Sequence, residues 1–176
     1  MRSHTRSLKL TLLALLSVTT LPAVASTRIE VQAGRSYMDT HGTNAAFIES
    51  VFAEHPLGDS RFTLSPDITA GWVEGRDVVR YRDSRYTTGD DVWLVAAGAR
   101  LRFRDANAWY RPLFFSFQPA YHSGRTQALS SSYEFVSTLG WEMKHWSVEI
   151  RHISNGGIHE PNRGETMALV GIAFNI

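Results

Sequence analysis

Apolar and polar side chains alternate in stretches of about ten residues, and this alternation limits the fold more than any other feature of the sequence. In residues 61–72 the even positions are apolar and the odd positions almost all polar. The pattern recurs at 93–103, 113–121, 133–141, 146–150 and 170–176, with weaker candidates at 29–38 and 44–53. Because successive side chains of a strand point to opposite faces, each stretch predicts a strand with one apolar and one polar face. The total is eight strands.

The connections between the predicted strands alternate in length. Those at 76–90, 122–131 and 155–164 are long and polar, whereas those at 55–60, 105–109 and 144–145 are short. Long extracellular loops that alternate with short periplasmic turns are typical of up-and-down membrane barrels. The sequence therefore predicts an all-β fold, an eight-stranded antiparallel up-and-down transmembrane β-barrel. Aromatic residues at the strand ends would form its two interfacial girdles.

The N-terminus has the pattern of an export signal. Arg2, Arg6 and Lys9 precede an apolar run over 10–21, and Ala-Val-Ala at 23–25 offers a small-residue cleavage site. The run is shorter than the ~20 residues of a spanning helix. Residues 1–25 are therefore predicted to be a cleaved secretory signal peptide and residues 26–176 the outer-membrane barrel domain. An uncleaved first helix is the alternative.

The charge balance excludes some functions and shapes the barrel prediction. Removal of residues 1–25 leaves 15 basic and 17 acidic side chains, a formal charge of −2, so no nucleic-acid partner is expected. The chain has no cysteine, so disulfides do not stabilise it. Ion pairs between inward Arg and Glu side chains would fill a narrow lumen. The residues concerned are Arg100, Arg102, Arg104, Glu134, Glu142 and Glu149. A soluble lipocalin-like barrel is the alternative, but its apolar side chains would have to face inward.

One segment near the C-terminus carries a candidate catalytic pair. His152 and Ser154 are separated by one residue on a predicted strand, so their side chains leave the same face within reach of a hydrogen bond. That geometry suits a serine nucleophile and its base. Val148 and Ile150 share this face, which in a membrane barrel contacts lipid, where a polar pair is costly unless it functions.

The pair is followed by residues that could form an oxyanion hole. In Asn155-Gly156-Gly157, two glycines let the backbone turn sharply and present N–H groups near Ser154. A capping serine and a surface histidine before a glycine turn would give the same short pattern.

The whole string is more specific than the pair. His-x-Ser-Asn-x-Gly over 152–157, followed by Pro-Asn-x-Gly over 161–164, resembles the PagL family of outer-membrane lipid A 3-O-deacylases. The resemblance implies a barrel that removes an ester-linked acyl chain from lipid A of the lipopolysaccharide in the outer leaflet, without metal or cofactor. It implies that His152 is the base, Ser154 the nucleophile, and Asn155 and Gly157 the oxyanion donors. It leaves open whether two copies form a homodimer.

The third catalytic member has two candidates. The family has an acidic residue that orients the histidine, and the ungapped match places Thr166 there, with Glu165 one position earlier. By parity Thr166 faces outward and Glu165 faces the lumen. Either a bulge at Gly164 turns Glu165 outward or Thr166 serves as a neutral orienter. We expect Glu165, because a carboxylate better stabilises the imidazolium.

Other polar side chains of the sequence have simpler interpretations, and two alternative functions remain open. His159 and Glu160 are interpreted as solvated loop residues rather than as metal ligands. The basic cluster of Arg76, Arg80, Arg82 and Arg85 either meets lipid A phosphates or is solvated. The alternative functions are a non-enzymatic small outer-membrane barrel and an outer-membrane phospholipase. The phospholipase family also uses a His-x-Ser pair, but its barrel is larger than this chain length favours.

Overall fold

The structure is a computed structural model that describes residues 27–176, so the predicted signal peptide lies outside the described residues. Nine strands follow one another along this part of the chain. They are β1 (Arg28–Met38), β2 (His41–Val51), β3 (His55–Pro56), β4 (Phe62–Val73), β5 (Val92–Phe103), β6 (Leu113–His122), β7 (Tyr133–Glu142), β8 (Trp146–Ser154) and β9 (Glu165–Asn175). A single 3₁₀ turn spans Val79–Tyr81. Between residues 27 and 176, no helix has both the length and the apolar character needed to cross a bilayer.

Eight of the strands close into a barrel. Each pairs antiparallel with its neighbours in the order β2-β1-β9-β8-β7-β6-β5-β4, and the pairing of β2 with β4 closes the sheet. β3 is a two-residue strand in the connection before β4 and pairs only with it. The predicted eight-stranded antiparallel barrel is confirmed. β8 runs on to Ser154, so the candidate pair belongs to a hydrogen-bonded strand.

The long and short connections lie at opposite ends of the barrel. Loops 74–91, 123–132 and 155–164 share one end, and connections 52–61, 104–112 and 143–145 share the other. The first connection at the long-loop end is an exception, because only Asp39 and Thr40 join β1 to β2. Asp39 has a φ of 53°, a left-handed conformation that suits a turn this tight.

The two faces of the barrel are inverted relative to a soluble protein. Ile150, Val170 and Ile172 are each about 60% exposed on the outside, whereas Glu30 and Arg151 are completely buried inside. The outward apolar face and polar interior are those of a membrane barrel and rule out the lipocalin-like alternative. The spanning strands have 9 to 12 residues, which matches the ~9–11 that a tilted strand needs to cross a bilayer.

An ion-pair network fills the lumen. Arg100 lies 2.8 Å from Glu49 and 2.5 Å from Glu142, and Arg151 lies 2.7 Å from Glu49. Arg102 and Glu149 join the network as predicted. Two predicted members lie elsewhere: Glu134 approaches His122 near the long-loop end, and Arg104 is exposed just beyond β5.

Aromatic side chains mark both ends of the outer surface. At the long-loop end, the rings of Trp72 and Trp93 lie 6.4 Å apart and those of Tyr121 and Tyr133 5.7 Å apart. At the other end, Trp109 stacks on Trp141 at 6.3 Å. These positions are those of the two girdles that flank the apolar band of a membrane barrel.

The three long loops cover one mouth of the barrel and support one another. Leu129 is fully buried beneath this cover, and Tyr81 and Tyr86 are nearly so. The backbone N–H of Gly164 donates to the Ala128 carbonyl at 3.0 Å. Loop 155–164 is therefore tied to loop 123–132, which fixes the segment that follows the candidate pair.

Candidate active site

His152 and Ser154 occupy the last outward positions of β8. His152 is exposed and Ser154 partly buried, while Ile153 between them is fully buried and anchors the strand to the interior. The predicted common face is confirmed. No hydrogen bond joins the two side chains among the described residues. Catalytic hydrogen bonds are often long in a free enzyme and shorten once substrate is bound.

The imidazole of His152 is held by β9. Thr166 is the register partner of His152, and its Oγ1 lies 2.9 Å from Nδ1 of the ring. If Nδ1 carries the proton and donates it to Thr166, then Nε2 is the unprotonated nitrogen that can act as a base. The strand register thus fixes the position of the ring, and the tautomer with its proton on Nδ1 is the one that a serine hydrolase needs.

Glu165 lies on the opposite face of β9. The ladder between β8 and β9 is unbroken, so Glu165 is paired with Ile153 and its side chain is buried in the lumen. There it accepts hydrogen bonds from Arg76 and Ser36, each at 2.5 Å. The expectation that a bulge turns Glu165 toward His152 is wrong, because an unbulged strand places neighbouring residues on opposite faces and Arg76 holds this carboxylate inside.

Gly164 packs against the ring of His152. Its φ is +69°, a conformation that side chains rarely adopt. A Cβ at this position would lie 2.8 Å from Cε1 and 3.3 Å from Nε2 of His152. The ring therefore packs directly on the glycine backbone, and the motif needs glycine here for two separate reasons.

The loop after Ser154 is organised by the side chain of Asn155. This buried amide donates to the His159 carbonyl at 2.9 Å and accepts from the Gly157 N–H at 2.9 Å. The Asn155 N–H donates to Asn162 Oδ1 at 3.2 Å. Both predicted oxyanion donors are therefore engaged within the loop. The Gly156 N–H, which lies between them, makes no hydrogen bond among the described residues.

The structure adds a second hydroxyl that sequence motifs did not single out. Ser137 on β7 is the register partner of His152, and its partly exposed side chain leaves the outer face. Only strand pairing could have identified it, since 15 residues separate it from His152 in the chain. Ser137 is a natural control for the role of Ser154.

His159 and Glu160 have partners within the loops. His159 Nδ1 lies 2.9 Å from the hydroxyl of buried Ser130, and Glu160 accepts from the Asn162 N–H. A separate group of three carboxylates, Glu30, Glu49 and Glu149, has oxygens within 4.8 Å of one another in the lumen. Arg100 and Arg151 compensate the charge of this group.

The basic cluster of loop 74–91 is largely paired. Arg76 is buried against Glu165, which removes it from the surface where a lipid could bind. Arg80 pairs with Asp39, and Arg82 pairs with Asp77. Arg85 packs over the ring of Tyr86.

Comparison with known proteins agrees with this architecture. A family model described as "Lipid A 3-O-deacylase (PagL)" matches residues 25–175. The chain belongs to the PagL family. A solved structure titled "Crystal structure of the outer membrane enzyme PagL" is similar to this chain with a TM-score of 0.56 at 16% identity, covering 85% of this chain and 99% of that one. At this identity the structural likeness shows the shared fold. No curated protein matches the chain.

Membership of the PagL family makes Thr166 notable. The motif resemblance places the family's acidic residue at this position, and the structure places the Thr166 hydroxyl against His152 Nδ1. This chain therefore has a neutral hydroxyl where the resemblance predicts an acidic residue.

Proposed function

We propose that this chain is an outer-membrane serine esterase that hydrolyses the ester-linked 3-O acyl chain of lipid A and releases a fatty acid. The observation that carries the proposal is an outward His152 and Ser154 pair at the long-loop end of an apolar barrel surface, with His152 Nδ1 held by Thr166. A lipid ester in the outer leaflet would meet the pair at that depth. Membership of the PagL family supports the same reaction.

The proposed reaction is acyl transfer through a covalent intermediate. Ser154 Oγ attacks the ester carbonyl while His152 Nε2 accepts its proton. Collapse of the tetrahedral intermediate breaks the bond to the sugar oxygen, which takes that proton from His152. Water, activated by the same imidazole, then attacks the acyl-enzyme, which releases the fatty acid and restores Ser154. These steps use only side chains and water.

The oxyanion is assigned to the turn at residues 155–157. Asn155 and Gly157 shape this turn through their mutual hydrogen bond, and the Gly156 N–H is the backbone donor that stays free. A single well-placed donor of this kind contributes roughly 10²–10³ in rate in serine hydrolases.

Thr166 acts as a neutral orienter in this mechanism. Its Oγ1 holds the imidazole in place and can accept from Nδ1–H, but it cannot stabilise the imidazolium as a carboxylate would. Hydrogen bonds to a charged acceptor are about twice as strong as neutral ones, so we expect a slower enzyme rather than an inactive one.

Mass spectrometry of lipid A from cells that express the chain tests the reaction. We expect the loss of one hydroxyacyl mass, abolished in Ser154→Ala and His152→Ala and kept in Ser137→Ala. Ser137 has the same chemistry and also lies beside His152, so it controls for surface changes. An unchanged lipid A with the wild-type chain in the membrane would contradict the function. Loss of activity in Ser137→Ala alone would contradict the choice of nucleophile.

Two further measurements test the location and the substrate class. N-terminal sequencing of the mature protein in the outer-membrane fraction should begin at Ser26 if residues 1–25 are removed. Phospholipid analysis of the same cells separates the two lipid classes. Release of lysophospholipid with intact lipid A would assign the chain to the phospholipase alternative.

A further inference from the structure

A cation without a counter-ion stands on the lipid-facing surface of β1. Arg35 is exposed and shares its face with Val31 and Ala33. Its Nη1 donates to Asn44 Oδ1 at 2.7 Å. Across residues 27–176, no carboxylate lies within ion-pair distance of Arg35. On this surface a charge is costly, more so toward the bilayer midplane than near the interface.

The guanidinium lies in the same strand-register row as the candidate active site. A Cβ built on Gly42 would be 3.1 Å from Arg35 Nη2, so the side chain extends up to that residue. Gly42 pairs with Tyr37, Tyr37 with Thr166, and Thr166 with His152. These residues form one row across β2, β1, β9 and β8. At about 4.8 Å between strands, the guanidinium is roughly 10–15 Å from the imidazole along the row.

An apolar groove extends from this row toward the middle of the barrel. It has a volume of about 620 Å³, and Arg35 is part of its lining. Ala33 and Ala168 are small and leave the space, and Ile150 and Val170 form its sides. Ile150 precedes His152 by two residues on the same face, so the groove begins directly beneath the catalytic pair.

The groove and the cation complement the two parts of a phosphorylated lipid, its hydrocarbon chains and its phosphate. Hydrocarbon fits the groove, and the planar fork of an arginine matches two phosphate oxygens. Lipid A has both phosphate groups and ester-linked acyl chains on one disaccharide headgroup, so a single molecule has both chemistries. Arg76, which the sequence offered for this role, is occupied by Glu165 inside the barrel.

We propose that Arg35 binds a phosphate of the lipid A substrate while an acyl chain of the same molecule lies in the groove formed by Ala33, Ala168, Ile150 and Val170. The site orients the headgroup so that the 3-O ester lies at Ser154. This inference rests on the proposed function and adds to it the residue that selects a phosphorylated substrate.

The test uses the full mature protein in detergent micelles, with bisphosphorylated lipid A and with lipid A stripped of phosphate. For Arg35→Gln we expect KM to rise about tenfold on phosphorylated lipid A with kcat nearly unchanged, as for the loss of one charge-assisted pair. Arg35→Lys should recover part of the affinity. On dephosphorylated lipid A, wild type and Arg35→Gln should have the same high KM. The control is Arg61→Gln, which removes an exposed charge at the opposite end and should match wild type.

Three outcomes would overturn the inference. In the first, Arg35→Gln has the same KM as wild type on phosphorylated lipid A. In the second, its KM rises by the same factor on both substrates, as a purely structural role would predict. Phosphatidylglycerol could compete with lipid A in wild type but not in Arg35→Gln, which would assign the site to a phospholipid headgroup.

Binding to an inactive protein separates this inference from the proposed function. In a Ser154→Ala background, binding of phosphorylated lipid A should weaken about tenfold when Arg35 is also changed to Gln. If wild type hydrolyses no lipid A but this difference in binding is found, the esterase proposal fails and the phosphate site stands. If wild type hydrolyses lipid A and this difference is absent, the phosphate site fails alone.

Discussion

A threonine contacts His152 where the motif resemblance predicts an acidic residue. Thr166 Oγ1 lies 2.9 Å from His152 Nδ1 on the outer surface, and the neighbouring Glu165 pairs with Arg76 in the lumen. The carboxylate of Glu165 therefore stabilises the barrel, while a neutral hydroxyl orients the imidazole. The two roles can be separated by mutation because the side chains lie on opposite faces.

Thr166→Val removes the acceptor and keeps the shape, so kcat should fall roughly ten- to a hundredfold as the ring loses its orientation. Thr166→Glu should raise kcat above wild type, because a carboxylate on the outer face would stabilise the imidazolium. Steady-state hydrolysis of lipid A measures both variants.

Glu165→Gln is the matched control one position away. It should keep kcat but lower the thermal stability of the barrel, because Arg76 loses its charged partner inside. A Glu165→Gln enzyme with low kcat, beside an unaffected Thr166→Val enzyme, would contradict this division of roles.

The contact between Gly164 and the imidazole of His152 can also be tested by mutation. In Gly164→Ala the alanine would have to adopt a strained positive φ, which costs about 1–2 kcal/mol of stability. Its methyl group would also lie 2.8 Å from His152 Cε1. We expect kcat to fall at least about tenfold because the ring must move. Gly58→Ala has a comparable strain at φ +56° but meets nothing within 4 Å at the other end of the barrel. It should lose stability and keep kcat; equal activity losses in the two variants would show that strain alone is responsible.

At the scale of the strands, register decides what the sequence left open. Alternation predicted all eight spanning strands, the outward face of His152 and the loop-rich end, because each depends on local periodicity. It could not predict the choice between Glu165 and Thr166, since that depends on a one-residue alignment of β9 with β8 and on Arg76, 89 residues away. Nor could it show that the N–H groups of Asn155 and Gly157 are used within the loop.

Loop 155–164 depends on one amide, so Asn155→Ala should disorder it. The change removes the hydrogen-bond partner of the Gly157 N–H, of the His159 N–H and of the His159 carbonyl. Each such group left unsatisfied where it is buried costs about 1–3 kcal/mol of stability. We expect faster hydrogen exchange over 155–164 and a large loss of kcat. The barrel itself should remain folded, which its heat-modifiable mobility on gels would show. Asn107→Ala in an exposed turn at the other end is the control. Unchanged exchange in Asn155→Ala would show that contacts with loop 123–132 suffice.

On the scale of the whole molecule, the apolar and polar faces of the barrel are reversed relative to those of a soluble protein. The apolar surface that would form the core of a soluble protein faces lipid, and the substrate is expected to approach from that side. The lumen is filled by a network of charges together with buried apolar side chains such as Phe47 and Phe114, so the stability of the barrel depends on charge pairing as well as on packing. The outer surface is thereby available for substrate binding, which is the role proposed for Arg35 and the groove that it lines.

Arg100 is the centre of that network and tests whether its charges must be balanced. It is fully buried and lies within 3.3 Å of Glu30, Glu49 and Glu142. Arg100→Met should destabilise the barrel by about 3–5 kcal/mol in urea unfolding from lipid vesicles. Glu30, Glu49 and Glu142 each keep one other arginine, but the lumen is left with an excess of buried negative charge. Adding Glu49→Gln should restore part of the loss by removing one of those charges, which a purely steric effect would not allow. Arg82→Met, at an exposed pair with Asp77, should change little. A double variant less stable than Arg100→Met alone would mean that the side chains of the lumen act by packing, and that charge balance is not what keeps this barrel closed.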